Sequence, residues 1–402
     1  MSKKTFAFWS VAYLLFILML GGTMPSPLYV FYQRLWHFPA STITLIYGVY
    51  AIGVLVALLV FGHLSDHIGR RRVLIPAVIL MAISALCFVF AQNVLWLIIG
   101  RIVMGLSVGL TTGTAAAAMH DLQPRGNARA ASLVVSMSTV LGLGFGPIVS
   151  SVFVQFTSNP GVYAFLFLML LLVFAFLGSW TIPQARAFSL HNVFSRPHFP
   201  MRNPLFVLAI ATLFASYATM GMTSSLVPSF LISLFHASNS ILGGATLCLM
   251  FISSFAAQLS LRRAPHRFSI SGGLIVLALG LIVFLGSFPL QSLLLFILSI
   301  IIIGIGQGLT FMGSVAIVTH IATPEKRSAI SSAYFAIGYV AVGLPVIGLG
   351  LAANAIGLLP ATTAFVAIFS IFSLLVALAG LLLNRGGRLQ DAVALPSYSA
   401  GD

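Results

Sequence analysis

Gly62-His63-Leu64-Ser65-Asp66-His67-Ile68-Gly69-Arg70-Arg71-Arg72 separates two apolar runs, each long enough to cross a lipid bilayer. A crossing helix needs roughly 20 mostly apolar residues. Gly62 and Gly69 permit a tight turn and a close helix approach. Three consecutive arginines hold that turn at a membrane surface, because guanidinium groups are costly in hydrocarbon. At this point the chain reads as two spanning helices joined by a basic turn on one face of a membrane.

The same alternation continues in both directions. Apolar segments near 8–32, 41–61, 73–92, 95–119, 129–154 and 161–181 form spans 1 to 6. Those near 204–232, 239–260, 268–288, 291–319, 328–354 and 358–383 form spans 7 to 12. The 402 residues are 60% hydrophobic and 6% charged, whereas a soluble domain carries about a quarter charged residues. The apolar stretch after Lys3-Lys4 runs to about Val30, too long for a signal core, and predicts a retained first span. Connections such as Ala91-Gln92-Asn93 and Ser287-Phe288-Pro289 are short enough to force antiparallel neighbours. Cys87 and Cys248 both lie in apolar runs and read as buried small hydrophobes, without metal-ligand spacing.

Charge placement sets the orientation. With the N-terminus inside, the loops and tails on the inner side carry every Lys and Arg except Arg34, which falls outside, and Arg101, which falls within span 4. The pattern predicts an even number of spans with both ends cytoplasmic. The net charge of +14 is dispersed in these short clusters and forms no continuous basic face, which excludes a nucleic-acid binder. The polar stretch from about Pro183 to Pro204 divides the chain. The expected organisation is a bundle over 1–182, a cytoplasmic linker over 183–203, a second bundle over 204–384 and a tail over 385–402.

The halves resemble each other. Gly105, Gly109, Leu110 and Thr111 in span 4 match Gly304, Gly308, Leu309 and Thr310 in span 10. His120 and Pro124 at one exit match His320 and Pro324 at the other. Repeats of this kind build many transporters, with the binding site near mid-membrane at the repeat interface.

The turn after span 2 resembles the signature loop of the major facilitator superfamily, G-x-L-S-D-x-x-G-R-R, through Gly62, Asp66, Gly69, Arg70 and Arg71. That resemblance implies an all-α integral membrane fold of twelve helices in two pseudo-symmetric six-helix bundles. It also implies a monomer without cofactor that carries a small molecule, in a bacterial inner membrane. Asp66 follows the negative C-terminal end of span 2, a poor place for a carboxylate unless a cation or a helix N-terminus compensates. The start of span 11 near Ala329 and the side chain of Arg129 are the candidates. In the family the counterpart of Asp66 helps close the cytoplasmic side, so these residues are expected to form a conformational latch. Arg101-Ile102-Val103-Met104-Gly105 is similar to the helix-4 motif of the proton-coupled drug exporters. Gly142, Gly146 and Pro147 in span 5 are similar to their helix-5 motif, G-x-x-x-G-P, although Ile148-Val149-Ser150-Ser151 replaces its further glycines. The drug/proton antiporter branch is therefore the expected one, with coupling to protons left open.

Arg101 lies about 9 Å below the outer end of its helix, at about 1.5 Å per residue, and an ionisable group at such depth is a functional candidate. Snorkelling to the surface is the plainer alternative. Thr23-Met24-Pro25-Ser26-Pro27 places two prolines in span 1, predicting a break or kink along a cavity. The acidic residues, Asp66, Asp121, Glu325, Asp391 and Asp402, all fall in loops or the tail, so no carboxylate relay crosses the membrane. A cavity with Arg101 and no carboxylate suits neutral, aromatic or anionic solutes. His120 and His320 complement helix C-termini. Tyr29, Tyr47, Tyr50, Tyr217, Gln307, Tyr334 and Tyr339 are candidates to line the cavity. No nucleotide-binding loop, metal cluster or nucleophile constellation argues for an enzyme.

The expected function is secondary active export of a small amphipathic compound, with uptake of a metabolite as the alternative. The topology makes a direct prediction. In a background lacking Cys87 and Cys248, a thiol at Gln92 reacts with a membrane-impermeant maleimide in intact cells, while one at Arg385 reacts only after permeabilisation. Equal labelling of both would overturn the assigned orientation.

Overall fold

The computed structural model describes residues 2–61, 64–124, 126–184, 199–236, 239–261, 268–322 and 327–385. Among them there are helices and no strands. Twelve helical segments are long and apolar enough to cross a membrane. They are Lys3–Trp36, Ala40–Phe61, Arg70–Val89, Val94–Leu122, Ala130–Phe156 and Pro160–Ser179, then Pro204–Ser233, Ser240–Ser260, Ser269–Gly286, Leu293–Ile321, Ile330–Ile356 and Leu358–Leu383. Most of the expected linker, residues 185–198, lies outside the described residues.

Local chemistry fixes where these helices begin. Asn93, Asn127, Asn203, Asn239 and Ser292 each stand just before a span and accept a hydrogen bond from a backbone N–H of its first turn. Such caps satisfy donors that the helix cannot serve itself. Pro160 and Pro204 sit at first helical positions, where the missing N–H costs nothing. One detail differs from the sequence reading. The turn after span 2 contains a short helix, Leu64–Ile68, because its five residues before Gly69 can close one turn. The break expected in span 1 is present, dividing it into two helical pieces, Lys3–Thr23 and Pro25–Trp36.

One apolar core gathers side chains of spans 1 to 6, such as Leu14, Phe88, Met104 and Phe165. A second gathers spans 7 to 12, including Phe206, Phe230, Phe284 and Phe296. Phe174, Leu177, Ile368 and Ile371 are exposed on the outside of the bundles, where lipid is their solvent.

Apolar burial drives little association between helices already in lipid, so close packing must do it. Spans 2 and 4 cross at Gly53 and Gly105, whose Cα atoms face each other; a Cβ on either would lie 3.0 Å from the other's Cα. Gly109 packs one turn further, against Val54 and Ala57. The second bundle repeats the device. Gly304 lies on the backbone of Met250, and Gly308 on that of Ser254, both in span 8. The glycines paired by sequence thus make equivalent crossings in both bundles.

The bundles meet through two further crossings. Span 2 packs on span 11, where a Cβ at Gly48 would lie 2.6 Å from Ile347 and 3.3 Å from the Gly343 carbonyl. Span 5 packs on span 8, with Gly244 against Pro147. Hydrogen bonds join the bundles on the face away from the termini. Asn354 donates from Nδ2 to the Ser41 hydroxyl at 2.6 Å, and the Ser240 N–H donates to Gln155 Oε1 at 2.9 Å. That face is closed.

Gly105→Val forces a branched side chain into the backbone of Tyr50 and Val54. It is expected to cost about 3 kcal/mol or more, at the upper end of overpacking penalties. Gly348 has open space around its Cα, so Gly348→Ala gains up to about 1 kcal/mol from helix propensity. Melting temperatures in one detergent check the contrast; equal values would contradict the packing.

Candidate functional site

The site grows from the break in span 1. Pro25 and Pro27 lack the N–H groups that would serve the carbonyls of Gly21 and Thr23. Helical hydrogen bonding lapses just after Met24, at Pro25 and Pro27, yet Thr23, Met24, Pro25, Ser26, Pro27, Leu28 and Tyr29 are all buried. This is an internal break and not a frayed end.

Arg101 of span 4 comes to that break. Its side chain is 1% exposed, so it does not snorkel. Nη1 donates to the Gly22 carbonyl at 2.8 Å and approaches the Met104 sulfur at 3.4 Å. The guanidinium carbon lies 4.4 Å from the ring centre of Tyr50 and 5.2 Å from that of Tyr47. A desolvated cation on an aromatic face gains about 2 kcal/mol or more. Among the described residues no carboxylate pairs with it. Its Nε and the Tyr29 hydroxyl are both buried without a hydrogen-bond partner.

Span 5 reaches the same break from the other side. Pro147 cannot donate to the Leu143 carbonyl, four residues earlier. Thr23, at the end of the first piece of span 1, donates its hydroxyl to that carbonyl at 2.8 Å. Gly142 and Gly146 permit the approach. A Cβ at Gly142 would lie 2.5 Å from the Phe16 carbonyl, and one at Gly146 would strike the Leu20 carbonyl and the Thr23 hydroxyl. Span 1 thus supplies the hydrogen bond that Pro147 removes from span 5.

Aromatic rings continue from Arg101 into the second bundle. Tyr50 meets Tyr339 edge-on at 6.4 Å between centres, and Tyr339 meets Tyr217 at 6.2 Å. Tyr217 stacks on Phe311 at 6.3 Å, and Phe311 faces Phe335 at 6.5 Å. Tyr217, Phe311, Phe335 and Tyr339 are half-buried, which leaves ring surface free for a guest.

The other candidates are placed differently. Tyr334 is fully buried and shares a hydrogen bond of 2.7 Å with Ser314 inside the second bundle. Gln307 donates to the Ser216 carbonyl at 3.4 Å, and Thr310 donates to the Ser216 hydroxyl at 3.1 Å, tying span 10 to span 7. Tyr29 is enclosed in the first bundle. Phe311 and Phe335 escaped the sequence reading, because nothing distinguishes them among 33 phenylalanines.

In the basic turn, Gly69 has φ of 95°, a value that glycine adopts without strain, and it starts span 3. Arg70 donates from Nη1 to the Ser65 hydroxyl at 2.7 Å and from Nε to Asp121 Oδ2 at 3.3 Å. Arg71 covers the Trp180 ring at 4.2 Å. The arginines therefore fasten the turn to the ends of spans 4 and 6. Gly62 and the side chains of Asp66 and Arg129 lie outside the described residues.

Comparisons extend this picture. The family model described as Major Facilitator Superfamily matches residues 11–345. An arabinose-proton symporter of Bacillus subtilis (strain 168) is 35% identical over 92 residues, covering 23% of this chain and 20% of that protein. A gentisate transporter of Corynebacterium glutamicum is 25% identical over 155 residues, covering 39% of this chain and 34% of that one. The chain thus aligns with about a third or less of the length of these relatives. A bacterial homologue of the human lysosomal transporter Spinster, solved inward-facing and unoccupied, has the same fold. Its TM-score is 0.78 at 14% identity, over 98% of this chain and 99% of that one.

Thr23→Val removes the donor from the Leu143 carbonyl and is expected to destabilise the protein by about 1 kcal/mol, the scale of interhelical hydrogen bonds in membranes. Thr23→Ser retains the donor and the stability. Unfolding in mixed micelles measures both, and equal loss in the two variants would remove the hydrogen bond as the cause.

Proposed function

The chain belongs to the Major Facilitator Superfamily, and from that membership we propose that it exports a small amphipathic compound, neutral or anionic, by alternating access. Secondary transport of a small molecule follows from the family. The finer reading is carried by one observation: Arg101 lies buried beneath Tyr47 and Tyr50 with no carboxylate beside it among the described residues. In a low-dielectric interior an unneutralised guanidinium acts over several ångströms. It lowers the energy of an anion or a polarisable ring nearby and raises that of a cation.

The half-buried rings of Tyr217, Phe311, Phe335 and Tyr339 offer apolar and edge-on contacts to such a guest. Tyr47, Tyr50 and Tyr339 bring both bundles to it, so rocking one bundle against the other would expose the same rings to either side. Tyr29, Gln307 and Tyr334 are proposed to support this lining from within the bundles. The positive-inside pattern assigns the terminal face to the cytoplasm and the closed face to the exterior. In this reading Asp66, with Gly62, Gly69, Arg70 and Arg71, closes the cytoplasmic face in the alternate state. The similarity of Arg101 and of Gly142, Gly146 and Pro147 to exporter motifs supports the outward direction and a role for protons. Uptake is the second reading, favoured by matches to an arabinose-proton symporter and a gentisate transporter.

Growth inhibition in an efflux-deficient bacterial host tests both. Wild type, Asp66→Asn and Arg101→Ala are compared at matched membrane levels against neutral, anionic and cationic compounds. Export predicts protection against neutral or anionic compounds, reduced about tenfold in Arg101→Ala, the equivalent of about 1.4 kcal/mol. Sensitisation by the wild type would establish uptake instead. Protection confined to cationic compounds would overturn the charge argument.

A further inference from the structure

A pocket lies between the bundles on the closed face, apart from the aromatic site. Pro27, Phe31, Arg34 and Val154 of the first bundle form one wall, and Leu231 and Asn239 of the second form the other. Its cavity volume is about 170 Å³, smaller than the sites that hold drug-sized ligands and suited to a single short chain. Its walls are largely hydrocarbon. Arg34 is exposed, and among the described residues it makes no ion pair or hydrogen bond. It is also the lone Lys or Arg that the topology leaves on this face. The positive-inside pattern disfavours a cation there, so its position is not explained by orientation of the chain.

We propose that this pocket binds a water-soluble amphipathic monoanion, a medium-chain carboxylate or sulfonate, and that its occupant holds this face closed. The chemistry is complementary in both parts. Arg34 offers its guanidinium to the anionic head, and Pro27, Phe31, Val154 and Leu231 receive the tail. Selectivity for one state follows from the construction of the pocket. Its walls belong to different bundles, so the pocket exists only while the bundles meet on this face. A ligand that binds one state and not the other shifts the population toward it. The occupant therefore acts as an inhibitor from the closed face, whatever solute the aromatic site carries. Ser240 and Gly243 also line the pocket, beside the Ser240–Gln155 hydrogen bond that joins the bundles.

The test uses the full chain in phosphatidylcholine nanodiscs, with Cys87→Ser and Cys248→Ser removing the native thiols. Ser41→Cys with Asn354→Cys reports closure, since the native pair is 2.6 Å apart across the bundles. In a separate variant, Ile232→Cys, next to Leu231 in the pocket wall, reports occupancy. Octanoate is expected to raise the cross-linking rate of the first pair and to slow maleimide labelling of the second by about threefold at saturation, the size of a modest population shift. Octylammonium does neither. Arg34→Gln abolishes both effects, and Arg34→Glu transfers them to octylammonium; this swap shows that the variants still fold the pocket. Unchanged cross-linking and unchanged labelling with octanoate would overturn the proposal. So would an undiminished response in Arg34→Gln. Protection produced by anionic phospholipid alone, with no further effect of octanoate, would assign the pocket to lipid and overturn the soluble ligand. None of these readouts depends on transport, so they fail or succeed separately from the exporter reading.

Discussion

Inside a bilayer a carbonyl freed by proline has no water to receive it, and the centre of this protein is organised around meeting that demand. Pro147 strips the Leu143 carbonyl of its partner, and the Thr23 hydroxyl supplies another. Pro25 and Pro27 interrupt span 1, and Arg101 docks on the Gly22 carbonyl at the interruption. The Leu143 carbonyl is satisfied only by the neighbouring span. A charged side chain, the break in span 1 and the proline turn of span 5 are thereby fixed in one layer of the membrane.

Glycine makes these approaches possible, and it does so twice. In the first bundle Gly105 and Gly109 bring span 4 onto span 2; in the second Gly304 and Gly308 bring span 10 onto span 8. Gly48 and Gly244 then let spans 2 and 8 meet spans 11 and 5 of the opposite bundle. Spans 2 and 8 thus each serve one bundle core and one interface, and any motion between the bundles must pass through these contacts.

The aromatic rings lie where the two demands converge. Tyr47 and Tyr50 shield Arg101 within the first bundle, and Tyr50 carries the contact to Tyr339 of the second. A buried cation is thus coupled to the interface through polarisable faces and not through a carboxylate. That arrangement is the physical basis for reading the cavity as a site for neutral or anionic solutes. The basic turn serves a different purpose, since Arg70 and Arg71 fasten it to the ends of spans 4 and 6.

The sequence alone determined the solvent, the number of spans and the repeat, because each is a property of composition and order along one chain. About twenty apolar residues can do little in lipid except form a helix, and paired glycines at constant offset mark equivalent crossings. It also marked Arg101 and the helix-5 glycines and proline as unusual. The tertiary structure decided what they touch. It turned Arg101 away from the surface and toward Gly22, joined Thr23 to Leu143, and separated Tyr50, Tyr217 and Tyr339 at the interface from Tyr334 and Gln307 inside their bundle. It also added Phe311 and Phe335, which look like any other phenylalanine in the chain. Helices that are apolar around their whole circumference carry no stripe to announce which face meets lipid and which meets protein. That choice rests on small residues and freed carbonyls brought together from distant parts of the chain, and only the packed bundles reveal it.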